Sequence, residues 1–171
     1  MTAPRATLLE EALAAWRDAR LGVIAEVRNI PARHFEFRPM PETRSVRELV
    51  QHILEVAMMM TGELTRPDTD FRRAPWPRLL ALYAKQAYRS NSRPVLLKLL
   101  RSQLIDGERR FRAQGELALF QLITQFNGSL GTKFTWLHHG IAQEEYHRAQ
   151  LATYARLLGR VPALTRVIQG G

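Results

Sequence analysis

The 171-residue chain contains no cysteine. That absence excludes disulfides, thiolate nucleophiles and Cys-ligated metal together, so any metal chemistry falls to histidine, carboxylate and amide side chains. Long apolar runs are missing too: no uncharged stretch approaches the about 18 residues that a membrane-spanning helix needs, and a membrane reading is dropped. The N-terminal stretch "MTAPRATLLEEALAAWRDAR" carries acidic residues inside its apolar part. It therefore has neither a secretory nor a mitochondrial targeting pattern, and the protein is expected in the cytoplasm. Acidic residues are the scarcer charge, with 16 Asp and Glu against 25 Lys and Arg, for a formal net charge of +9.

Such a balance raises nucleic-acid binding, because a basic surface attracts phosphate. The basic residues are nevertheless spread along the chain. Their densest sets are Arg72, Arg73 and Arg78, then Arg109, Arg110 and Arg112, and no helix-turn-helix, zinc-finger or aromatic RNA-binding signature accompanies them. Nucleic acid is accordingly not expected as a partner. With 46% hydrophobic and 24% charged residues, the composition is that of an ordinary globular protein, and the length fits one domain spanning residues 1–171.

Helical periodicity dominates, without convincing strand-type alternation. A first helix is predicted from about Ala6 to Arg28, with Leu9, Leu13, Trp16, Ala19 or Arg20, and Val23 on one face. "NIPARHFEFRPMPETR", with three prolines, reads as a loop. Ser45 followed by Glu48 forms a capping box that starts a second helix, whose stripe runs from Val46 to Met60. "RPDTDFRRAPWPR" is loop-like, and Leu79–Tyr88 reads as a short helix. Ser92 and Pro94 begin a third long helix that ends near Arg112. A short helix over Glu116–Gln125, the loop "FNGSLGTK", and a last long helix from Lys133 to Leu158 follow, with Gly159 and then Pro162 marking the stop. Four long amphipathic helices joined by long connections predict an all-α four-helix bundle that is not a plain series of helical hairpins.

The last helix carries the chemical signal. At 100° per residue, Trp136, Leu137, Gly140, Glu144, His147, Leu151, Tyr154, Ala155 and Leu158 form one stripe, with His147 near its middle and Gln143 and Glu144 one turn earlier on either side. Polar groups turned towards a bundle interior need partners, and bundles commonly build metal sites from such side chains on facing helices. On the second helix His52 sits at the edge of the apolar stripe, placed to face His147, with Glu48 or Glu55 one turn away to accept its second ring N–H. His139, eight residues before His147, is about 12 Å further along the axis and cannot readily share an ion with it. The bland alternative is a set of hydrogen-bonded core residues. Met58 to Met60, Trp16, Trp76 and Trp136 read as packing.

"FRPMPETRSVRELVQHILEV" and "FNGSLGTKFTWLHHGIAQEEYHRAQLATYARLLGRVPALT" together resemble the DinB-like (YfiT-type) superfamily of bacterial four-helix bundles, named from a DNA-damage-inducible member. The resembling features are the Ser-capped helix with its histidine, the "HRxQL" turn, the "YxRxxG" stop and the trailing "PxLT". The resemblance implies a divalent metal, commonly nickel or zinc, bound by three histidines, one on the second helix and two spaced four apart on the last. It also implies a homodimer, and activity as a metal-dependent hydrolase or as a transferase using a small-molecule thiol cosubstrate. Carried across, the metal positions are His52, Gln143 and His147, with Gln143 standing where the family has histidine, and Glu144 is the nearest catalytic base. An amide oxygen is a weaker donor than imidazole to such metals. Either Gln143 or the adjacent Glu144 then completes an atypical, weakened metal site, or the site has degenerated; the alternative function is a non-catalytic, stress-related bundle that binds a small ligand or a partner.

Overall fold

The computed structural model describes residues 6–170. Helix α1 (Leu8–Asn29) starts at Thr7, whose side chain accepts from the Glu10 N–H. Helix α2 (Val46–Leu64) starts with the reciprocal box: Ser45 Oγ accepts from Glu48 N at 3.2 Å, and Glu48 Oε2 accepts from Ser45 N at 2.8 Å. Two short helices, α3 (Trp76–Tyr83) and α4 (Lys85–Arg89), lead to α5 (Arg93–Gln114), which has Pro94 in its first turn and stops at Gly115 with φ +79°. Helix α6 (Lys133–Leu157) ends in a Schellman motif: Arg160 N bonds Ala155 O and Gly159 N bonds Arg156 O, both at 2.9 Å, while Gly159 takes φ +71°. A last short helix, α7 (Ala163–Ile168), follows Pro162.

The expected helix over Glu116–Gln125 is replaced by a 3-10 turn at Glu116–Phe120 and a hairpin of β1 (Leu122–Thr124) with β2 (Leu130–Thr132). Strands of three residues are too short for alternation to register, and the hairpin's reversal sits at Gly128, with φ +86°. The expected short helix at Leu79–Tyr88 begins three residues earlier, at Trp76, and is interrupted at Ala84.

Four long helices form the bundle. Helix α1 packs on α6 and α5, and α2 packs on α6 and α5. Going round, the order is therefore α1, α6, α2, α5, which leaves the sequence neighbours α1 and α2 on a diagonal, as their long connection allows. Among the described residues no helix is long and apolar enough to cross a membrane. Much of the clustered positive charge is met locally: Arg73 pairs with Glu63, Arg109 with Asp106, and Arg112 with Glu10.

The core falls into two apolar clusters. One gathers Leu13, Trp16, Met59, Leu104, Phe111 and Ile141; the other gathers Val23, Val50, Ile53, Leu100 and Leu151. Between them lies a polar layer. Arg20, fully buried, donates from Nε and Nη2 to the two carboxylate oxygens of Glu144, at 2.7 and 2.5 Å. Its Nη1 donates to Leu100 O at 2.8 Å and to Gln103 Oε1 at 2.7 Å. Trp16 Nε1 also donates to Glu144, at 2.6 Å, and Gln103 Nε2 reaches Thr61 Oγ1 at 3.1 Å. All four long helices thus meet in one hydrogen-bonded set.

A buried pair is costly to break by halves, since the surviving charge keeps its desolvation penalty without its partner. Glu144→Gln is expected to destabilise the fold by about 3–5 kcal/mol, whereas the double replacement Arg20→Met with Glu144→Leu recovers most of that loss. Urea unfolding of the three proteins checks this; a loss below about 1 kcal/mol in Glu144→Gln, the scale of an exposed pair, would contradict it.

Candidate functional site

Helix α6 lies between α1 and α2, and this position decides where its polar residues go. Gln143 and His147 turn towards α2, and the rings of His52 and His147 meet edge to face, with centroids 4.8 Å apart and planes at 83°. Gln143 Nε2 lies 3.4 Å from His52 Nε2, and Gln143 Oε1 is buried without a hydrogen-bond partner. Glu144 turns the other way, towards α1, where Arg20 and Trp16 occupy its carboxylate. His52, Gln143 and His147 therefore share one cavity wall, and Glu144 is absent from that wall.

Each imidazole is held from behind. Of the two carboxylates considered for His52, Glu55 takes the part: its Oε1 lies 2.5 Å from His52 Nδ1, while Glu48 stays in the capping box. Because a carboxylate accepts, the proton resides on Nδ1 and leaves the lone pair on Nε2. Glu55 is itself buried and also accepts from the Tyr88 hydroxyl on α4. His147 Nδ1 lies 2.7 Å from Gln150 Oε1, one turn further along α6, so its Nε2 is likewise the free nitrogen. Burial pushes the His147 imidazole below its ordinary value of 6.5; His52 and Arg44 push the same way, while the Gln150 bond opposes them. His147 is thus neutral at pH 7.

The cavity in front of these residues measures about 550 Å³. Trp76, Phe126, Trp136 and Tyr146 supply much of its wall, and Val56, Met60 and Gly140 supply more. Sequence reasoning assigned Trp76 and Trp136 to packing. They do pack, with Phe126 4.4 Å from Trp76 and 5.2 Å from Trp136 between ring centroids, but they also face this space. Phe126 comes from the hairpin reversal, where no periodicity could single it out. Gln150 was detectable, because a His-x-x-Gln spacing on a helix places the amide one turn from the ring. His139 lines the same cavity, its ring 4.9 Å from Trp136; His138 instead packs edge to face on Phe134 at 4.6 Å. Among the described residues no three His, Cys, Asp or Glu side chains come together as a metal-holding group, so the polar end of this cavity consists of two facing imidazoles and an amide.

Residues 4–169 match the sequence model of the DinB family. No curated protein matches the chain in sequence. Solved structures share the fold at low identity. A DinB-like protein, YjoA, from Bacillus subtilis superposes with a TM-score of 0.65 at 17% identity, covering 87% of this chain and 92% of that one. A protein from Exiguobacterium sibiricum, provisionally assigned to the DinB family, gives 0.67 at 20% identity over 91% and 95%. YfiT from Bacillus subtilis, described as a probable metal-dependent hydrolase with an unusual four-helix bundle topology, gives 0.70 at 13% identity over 92% and 93%. With the family's sequence pattern running almost from end to end of the chain, and its bundle in the fold, this protein belongs to the DinB family.

Proposed function

We propose that this protein is a metal-dependent hydrolase whose divalent ion, zinc or nickel, is held by His52 and His147 with the amide oxygen of Gln143. The observation that carries the reading is the pair of facing imidazoles, each with its Nδ1 fixed by an acceptor and the lone pair of its Nε2 beside an open cavity, that of His52 met only by the Gln143 amide at 3.4 Å. Ligating histidines are characteristically braced in this way, and Glu55 and Gln150 are the braces. Gln143 Oε1 supports the donor set further: it is a buried acceptor without a partner, next to the two rings. YfiT, the DinB-type relative described as a probable metal-dependent hydrolase, supports the same class.

A bound ion would lower the pKa of a water and polarise a substrate carbonyl. The residues of the chain do the rest. His52 and His147 present nitrogen lone pairs, Glu55 and Gln150 keep the protons on the opposite ring nitrogens, and the aromatic wall offers apolar surface beside them. Glu144 serves as counter-ion to Arg20 and not as base. His139, on the wall of the cavity, is the imidazole left to exchange a proton with a molecule inside. Hydrolysis is preferred to thiol transfer because water is its only co-reactant, whereas a chain without cysteine must take any thiol from solution.

Isothermal titration with zinc and nickel tests the donor set. The wild type is expected to bind, His147→Ala to lose binding, and Gln143→His to gain at least about tenfold in affinity, close to 1.4 kcal/mol. Equal affinities for wild type and Gln143→His, or binding by neither, would remove the metal from this account.

The His147 environment gives a separate expectation for the metal-free protein. Its midpoint, followed through the histidine C–H resonances by NMR, is expected below 6.5. As pH falls, the unfolded chain takes this proton first. His147 therefore contributes stability that is complete above about 6.5 and lost as pH falls through the folded-state midpoint. A midpoint at or above 6.5 would show that burial does not outweigh the Gln150 bond and the Glu144 charge, which act in the opposite direction.

A further inference from the structure

The cavity beside the two imidazoles has a chemical character of its own. Although the chain holds 25 basic and 16 acidic residues, no lysine, arginine, aspartate or glutamate is among the described residues that line it. Away from the ion proposed at the imidazoles, a charged molecule packed against these walls would give up hydration without meeting a counter-ion, which costs free energy. An uncharged one would not.

The walls favour flat apolar groups. Trp76 and Phe126 stand at 73° to each other, and Phe126 and Trp136 at 75°. Successive rings thus offer both a face and an edge, the two surfaces that an aromatic guest packs against. Tyr146, 63% exposed, stands at the solvent side of the lining. Gly140 keeps the space open on α6: a Cβ there would already lie 3.4 Å from Met60 Cε, so any longer side chain would have to enter the cavity or displace Met60. The volume, about 550 Å³, falls within the range of small-molecule sites. Apart from His139, the Tyr146 hydroxyl and the indole N–H groups of Trp76 and Trp136, the polar groups lie together at His52, Gln143 and His147.

We propose that this cavity selects an uncharged small molecule with an aromatic or similarly flat apolar body and one polar group, and that the bond cut is an ester or amide carried by such a body. The identity of the bond rests on the hydrolytic reading above; the selection by the walls does not. In the reaction, water oxygen bonds to the acyl carbon and the bond from that carbon to the leaving oxygen or nitrogen breaks. One proton of the water ends on the leaving group, and the other is released when the acid product ionises.

Three naphthalenes of nearly equal size separate the possibilities: 2-acetonaphthone, neutral with an acceptor; 2-ethylnaphthalene, neutral without one; and 2-naphthoate, an anion. Each is titrated calorimetrically into the full-length protein after dialysis against a chelator, so that no metal attracts the carboxylate. The ketone is expected to bind at least about tenfold more tightly than naphthoate and, with the Gln143 amide N–H as donor among the lone pairs at the polar end, more tightly than the hydrocarbon. Tyr146→Ala should weaken the ketone by about threefold or more, the scale of one lost aromatic contact, and Gly140→Leu, which puts a side chain into the space, should weaken it as well, with the melting temperature of each variant measured alongside. Naphthoate binding as well as the ketone, or a ketone affinity indifferent to both substitutions, would overturn the proposal. Zinc titration of the same preparation reports separately. Zinc binding without ketone binding overturns the cavity proposal alone, and ketone binding without zinc binding upholds the selection by the walls while removing the hydrolytic reading.

Discussion

The bidentate pair between Arg20 and Glu144 is the constraint around which this bundle is arranged. A guanidinium and a carboxylate, each almost wholly removed from water, are tolerated in a core only when geometry and additional hydrogen bonds offset their lost hydration. Here Leu100 O, Gln103 and Trp16 supply those bonds, so α1, α5 and α6 must keep one relative register, and Gln103 extends the set to Thr61 on α2. Apolar packing on either side tolerates exchange of one aliphatic residue for another far better than it tolerates a shift of this layer. The layer therefore specifies the arrangement more than it stabilises it.

Fixing the rotation of α6 has a consequence on its other flank. Residues 143 and 144 are separated by about 100° around a helix, with residue 147 projecting between them. Once Glu144 is committed to α1, Gln143 and His147 necessarily face α2, where His52 stands. The ion pair thus acts as the rotational stop that holds the candidate site in place from the opposite side of the helix. The inward-turned polar run on α6 accordingly serves two ends: a structural one through Glu144 and a chemical one through Gln143 and His147.

Much of this was legible in the sequence. The capping box at Ser45 and Glu48, the glycine stop at Gly159 and the inward stripe on α6 depend on local rules, and each is found in the fold. That stripe located His147, and the edge of the α2 stripe located His52, well enough to bring them to one cavity. The destination of Glu144 was not legible, because a helical wheel gives the angle of a side chain but not which neighbouring helix stands at that angle. A charged partner at residue 20, on a face otherwise apolar, was the available clue, and an arginine there could equally have been read as a stem lying over the core edge. The aromatic wall was hidden for another reason. Trp76 opens the short helix α3 in one connection and Phe126 sits at the hairpin reversal in another, and their meeting is a product of tertiary packing with no local signature.

What these residues do together turns on whether an ion belongs between the Nε2 atoms of the two imidazoles. The most direct measurement is an anomalous difference map, recorded at the zinc absorption edge, from a crystal of the full-length protein soaked with zinc. The account predicts one dominant peak bonded to Nε2 of both His52 and His147, at about 2.0–2.1 Å from each, with the Gln143 oxygen turned towards it. No peak between the two rings, with zinc found only at surface carboxylates or at His138, would contradict it.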